Sequence, residues 1–95
     1  MADIYSLKRD RNNYYDLKDK LYSIVSSYNS CIDSLNASIS SLKNYYLVDG
    51  TIYDDGLLYS QIENLKERRN YIIYTIIPAI DRDIYKINQE INSKQ

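Results

Sequence analysis

Apolar residues return along the first half of this chain with a period of seven. One row is Leu7, Tyr14, Leu21, Tyr28, Leu35 and Leu42. A second is Ile4, Arg11, Lys18, Val25, Ile32, Ile39 and Tyr46, and a third holds Leu17, Ile24, Cys31 and Tyr45. Recurrence at three and four residues places such rows on one face of an α-helix. Held over about six heptads, the pattern is that of a coiled-coil or bundle seam. The third row widens the stripe beyond what a two-stranded seam uses. A helix is therefore predicted from about Asp3 to Tyr46, capped at its start by Asp3 or Ser6.

The second half carries its own seam: Leu58, Ile62, Leu65, Arg69, Ile72, Ile76, Ile80, Ile84, Ile87 and Ile91. It predicts a helix over about 57–93, capped by Asp54 or Asp55. Steps of four and three alternate until Ile72, after which three steps of four run to Ile84. A phase slip of this kind unwinds a left-handed supercoil locally. Pro78 lies inside the slip. A proline there removes a backbone hydrogen bond and crowds the carbonyl of Tyr74, at a cost of about 3 kcal/mol, so a bend is expected near Tyr74–Pro78. No turn residue nearby would end the helix.

Between the two halves, residues 47–56 contain two Asp-Gly pairs, which are strong turn signals. A connection that short makes its helices antiparallel neighbours. The expected fold is all-α: one domain over 1–95, an antiparallel hairpin of two long helices. Each helix would extend roughly 55 to 65 Å. A lone hairpin can bury only one side of each wide stripe. The rows Leu17, Ile24, Cys31 and Ile73, Ile77 are then left over, and a partner or a second copy would cover them by completing a four-helix bundle. The expected partner-binding residues are Leu17, Ile24, Val25, Ile32, Ile39, Ile73, Ile77 and Ile84.

Composition narrows the function classes. Twelve basic residues stand against thirteen acidic ones, interspersed along the chain, so no basic stripe marks a nucleic-acid or anionic-membrane surface. No apolar run approaches the roughly 18 residues of a membrane span, and no signal-peptide run opens the chain. The chain is expected to be cytoplasmic when made. It has no histidine, so the commonest acid–base group and metal ligand is missing. Its single cysteine cannot close an intrachain disulfide. No phosphate-binding glycine loop or metal-ligand spacing occurs. Asp49, Asp54 and Asp55 serve a turn and a cap better than a cation. Neither an enzyme nor a cofactor is expected.

Some residues allow two readings. Cys31, on the stripe, is read as a small buried hydrophobe, against a reactive or intermolecular thiol. Arg11, Lys18 and Arg69 interrupt the seams. They either snorkel their charges to solvent or meet acids on a partner and set register. The pairs Tyr14-Tyr15 and Tyr45-Tyr46, with Tyr53, serve as edge packing or as interface anchors.

The layout resembles the small WXG-type helical hairpins of Gram-positive type VII secretion, in particular the partner proteins of LXG-type toxins. Val48-Asp49-Gly50 stands where that family has Trp-x-Gly at the bend, keeping the glycine and losing the tryptophan. The family's export signal is a Tyr followed four residues later by Asp or Glu, placed after the second helix. Here Tyr59 and Glu63 have the spacing at the start of that helix, and Tyr85 has Gln89 at the same offset. The resemblance implies a targeting partner that binds the N-terminal helical region of a toxin. It also implies export without a cleaved signal peptide, with the loop residues Val48, Gly50 and Gly56 offered to the secretion machinery. Two other readings remain open at this point. One is a self-associating structural module, and the other is a small immunity or regulatory protein that sequesters its target.

Overall fold

A computed structural model describes residues 3–49 and 56–95, with residues 44–49 as backbone only. Helix α1 spans Ile4–Asp49 and forms the first arm. The second arm is α2 (Gly56–Tyr71), a π-helical turn (Ile72–Ile76) and α3 (Ile77–Lys94), following one another without a break. The two arms pack along each other in opposite directions, and no strand occurs among the described residues. The all-α hairpin is therefore present. Helix α1 runs three residues further than expected, taking 47–49 out of the anticipated loop. Gly56 opens α2, while Gly50 and residues 51–55, with Asp54, Asp55 and Tyr53, lie outside the described residues. The side chains of Tyr45, Tyr46, Val48 and Asp49 lie outside them as well.

Asp3 is the cap at the start of α1. Its Oδ1 accepts from the Ser6 N–H at 2.7 Å, filling one of the donors that a first helical turn leaves open. That bond holds the Asp3 carboxyl below its ordinary pKa. The resulting rod measures 72 × 16 × 14 Å. Its long axis matches α1, whose 46 residues span about 69 Å. The radius of gyration is 21.4 Å, against about 12 Å for a compact chain of this length.

The core is a single file of aliphatic side chains between the arms. Leu7, Val25, Ile32 and Ile39 come from α1. Ile62, Ile72, Ile77, Ile80, Ile84 and Ile91 come from the second arm. Ile32, Ile39 and Ile62 form one cluster with Leu35, Leu58 and Leu65 at its edge; Val25, Ile72 and Ile77 form another.

The π turn explains how this file stays continuous. From Ile72 to Ile87 the seam takes fifteen residues where two heptads take fourteen. One extra residue turns an α-helix by about 100°, which would swing the seam of α3 off α1. The π turn absorbs that residue. The Ile77 N–H reaches the Ile72 carbonyl, five residues back, in place of the usual four. Pro78 follows within the first turn of α3, where its missing N–H and crowding ring are most easily accommodated. Near Tyr74–Pro78, where a bend was expected, the structure has a widened turn inside a continuing helix.

This phase change corrects one expectation. Ile77 was assigned to a left-over row on the assumption of unbroken α-helical periodicity. It is 4% exposed and packs with Val25 and Ile72. Ile73, beside it, is half-buried.

Candidate functional site

The two flanks of the rod, where the arms meet on either side of the core, differ in chemistry. On α1, Ile24 precedes Val25 by one residue and Cys31 precedes Ile32 by one, so each is turned about 100° from the core row. Arg11, Lys18 and Asn29 are rotated about 20–40° to the other side of that row. One flank is therefore polar and the other apolar.

Side-chain contacts join the two arms along the polar flank. Arg11 Nη1 donates to Asn88 Oδ1 at 3.0 Å, and Lys18 Nζ lies 2.6 Å from Asp81 Oδ1. Arg69 Nη1 donates to Asn29 Oδ1 at 2.9 Å. The three basic residues that interrupt the seams thus neither stand free nor await another chain; each has a partner on the opposite arm. The spacing of these pairs reports the register. Arg11 to Lys18 is seven residues, as is Asn88 to Asp81. Lys18 to Asn29 is eleven, but Asp81 to Arg69 is twelve, and the π turn lies in that interval. The Asp81 hydrogen bond raises the Lys18 pKa above its ordinary value, with help from the carboxylate charge and against a smaller opposing effect of burial. Lys18 also lies 6.0 Å from the centre of the Tyr22 ring. Nearer the loop, Lys43 Nζ donates to the Tyr59 hydroxyl at 3.2 Å and sits 5.1 Å from that ring's centre.

On the other flank, Leu17 is 43% exposed, Ile24 is 45% exposed and Cys31 is exposed. The thiol is therefore at the surface, and its reading as a buried hydrophobe is corrected. Two shallow grooves follow the row. One is lined by Asp10, Asn13, Tyr14, Leu17 and Ile87. The other is lined by Ile24, Ser27, Tyr28, Cys31 and Leu65.

The structure divides the expected partner-binding residues. Leu17 and Ile24 are on the surface and Ile73 is half-buried. Val25, Ile32, Ile39, Ile77 and Ile84 are buried between the chain's own arms, at 8% exposure or less. They hold the hairpin together and are not presented to another protein. Sequence reasoning missed Asn29, Asp81 and Asn88 as cross-arm partners. The signal was available in the matching seven-residue steps from Arg11 to Lys18 and from Asp81 to Asn88.

Among the described residues, no three His, Cys, Asp or Glu side chains gather closely enough to hold a metal ion. No helix of the described residues is long and apolar enough to cross a membrane.

No family model matches the chain, and no solved structure matches it. It is similar to the acetyl-coenzyme A carboxylase carboxyl transferase subunit beta, chloroplastic, of Arabidopsis thaliana, with 32% identity over 74 residues. The match covers 72% of this chain and 15% of that protein.

Proposed function

We propose that the hairpin is a non-enzymatic binding module whose apolar flank packs against helices of another protein. The observation that carries this reading is the exposed row Leu17, Ile24 and Cys31 beside a polar flank whose cross-arm contacts are made within the chain. The row is straight and spans about 21 Å of α1, a shape that ridges of a second helix fill. The resemblance to partner proteins of LXG-type toxins supports the N-terminal helical region of such a toxin as the occupant. Targeting that toxin to type VII export would then be the chain's role.

The test is co-expression with the helical N-terminal region of an LXG-type toxin. A stoichiometric complex is expected, and Leu17→Asp or Ile24→Asp should abolish it while leaving helicity intact. Binding to the isolated toxic domain instead would replace targeting with sequestration. A complex indifferent to both substitutions would remove the flank from consideration.

A further inference from the structure

Four isoleucines bracket the π turn as two adjacent pairs, Ile72-Ile73 and Ile76-Ile77. The outer two, Ile72 and Ile77, are buried together with Val25. The inner two, Ile73 and Ile76, are half-buried and pack against that same cluster. A seam uses one residue of each pair, so the other of each is in surplus.

The surplus completes a second seam. Ile62 and Ile80 are eighteen residues apart, which is five whole turns of an α-helix, so an unbroken helix would set both on one line. At about 100° per residue, Ile73 falls about 20° from that line, and Ile76 about 40° from it on the other side. Both would face α1. Ile72 and Ile77 would stand about 80° and 60° away, at the two borders of the core. Ile72 would then lie on the apolar flank, on the same side of the line as Leu65 and about two turns along from it. The outer pair thus fills the core around a π turn, and the inner pair fills it in a continuous helix.

Two features favour the π turn. In a continuous helix the Pro78 ring would press on the Tyr74 carbonyl, whereas the π turn ends just before Pro78. A continuous helix would also rise about 1.5 Å too far between Arg69 and Asp81, because their partners Asn29 and Lys18 are one residue closer together on α1.

We infer that the second arm has two packed forms, a π form with Ile72 and Ile77 inward and an α form with Ile73 and Ile76 inward, and that Pro78 sets the balance between them. Close-packed interiors change in discrete steps of this kind, not by continuous deformation. The change carries Ile72 from the core to the surface on the side of Leu65, so a helix seated on the apolar flank would draw the arm into the α form. That last consequence rests on the helix-binding reading above; the two forms themselves do not.

The test uses the full chain with Cys31→Ser, carrying either Ile72→Cys or Ile73→Cys, each with Pro78 and with Pro78→Ala. With Pro78 in place, a maleimide should label Ile73→Cys faster than Ile72→Cys by roughly tenfold or more. Pro78→Ala removes a clash that weighs on the equilibrium by on the order of a hundredfold, so the ratio of the two rates should move toward Ile72→Cys by roughly tenfold or more. A ratio indifferent to Pro78→Ala overturns the inference. So does a Pro78→Ala chain without a cooperative urea transition, because the α form would then not be a stable packing. A second measurement needs no thiol. Ile72→Ala should lower the melting temperature less in Pro78→Ala than in the native chain, because the α form does not hold Ile72 in its core. Equal losses in the two backgrounds overturn the inference as well. Every outcome is read without a partner, so a failure here would leave the proposed function standing.

Discussion

The Lys18 ammonium lies 2.6 Å from the Asp81 carboxylate, and the next cross-arm bond, Arg11 to Asn88, is displaced by the same seven residues on both arms. These pairs hold the arms in a fixed register but are not a large store of stability. The Asp81 side chain is about half exposed, and exposed ion pairs contribute about 0.2–1 kcal/mol. A double-mutant cycle with Lys18→Met and Asp81→Asn, read by urea unfolding, should give a coupling energy within that range. A coupling of several kcal/mol would mean that the pair is desolvated in solution.

The same pair sets an alkaline limit. Lys18 has a folded pKa above its ordinary 10.5, chiefly through the hydrogen bond to Asp81. Its contribution is fully present below 10.5 and is lost as pH rises through the folded value. The stability difference between the native chain and Lys18→Met should therefore be constant at neutral pH and shrink in strong alkali. At the acid end, Asp3 has a folded pKa below its ordinary 3.8 because of the Ser6 N–H. Its contribution is present above 3.8 and fades as pH falls through the folded value. Asp3→Ala should flatten the acid limb of the stability curve.

If the π turn exists only to absorb one residue, removing that residue should be harmless. Deletion of Thr75 combined with Pro78→Ala, which removes the ring that a continuous helix would not accommodate, is expected to yield a continuous α-helix with the same buried file and an unchanged or higher melting temperature. Deletion of Asn64, in the regular part of α2, should instead rotate the seam by about 100° and unfold the hairpin. Equal damage from both deletions would show that the π turn is held by something other than register.

Arg11 offers a route to stabilisation. Its Nη1 reaches Asn88, but its Nε is sealed from solvent without a hydrogen-bond partner. Arg11→Met keeps the aliphatic stem and removes the unpaired donor. Its stability should be unchanged or raised by about 1 kcal/mol, whereas Asn88→Ala should cost about 1–3 kcal/mol. The comparison needs three thermal melts, of the native chain and the two variants.

Core truncation should be severe. Ile39 and Ile62 are 2% and 1% exposed and meet across the arms. Their replacement by Ala should each cost about 2–5 kcal/mol, a large share of the 5–15 kcal/mol that holds a typical domain. Leu17→Ala, on the surface, should change monomer stability by no more than about 0.5 kcal/mol.

Much of the hairpin could be read from periodicity, since a buried file needs side chains at fixed angular spacing. Every position of the second-arm seam, from Leu58 to Ile91, is buried or half-buried, as are Val25, Ile32 and Ile39 opposite. The stripe's left-over side was also visible in advance through Leu17 and Ile24. The error at Ile77 came from counting in α-helical turns across a segment that turns differently. Hydrogen-bond topology, which a hydrophobic pattern encodes only through its slips, decided that residue. The cross-arm polar pairs were hidden for another reason. Arg11, Lys18 and Arg69 are compatible with solvent or with another chain, and only the register of the arms selects Asn88, Asp81 and Asn29.

That register also orders assembly in time. The cross-arm contacts are separated by 16 residues at Lys43 and Tyr59, by 40 at Asn29 and Arg69, and by 77 at Arg11 and Asn88. Closing a longer loop costs more chain entropy, and each contact shortens the effective loop for the next. The hairpin is therefore expected to zip from the connection outward, passing the π turn midway. The end of the rod that holds Arg11 and Asn88 closes last, and by the same ordering its amide hydrogens should exchange first.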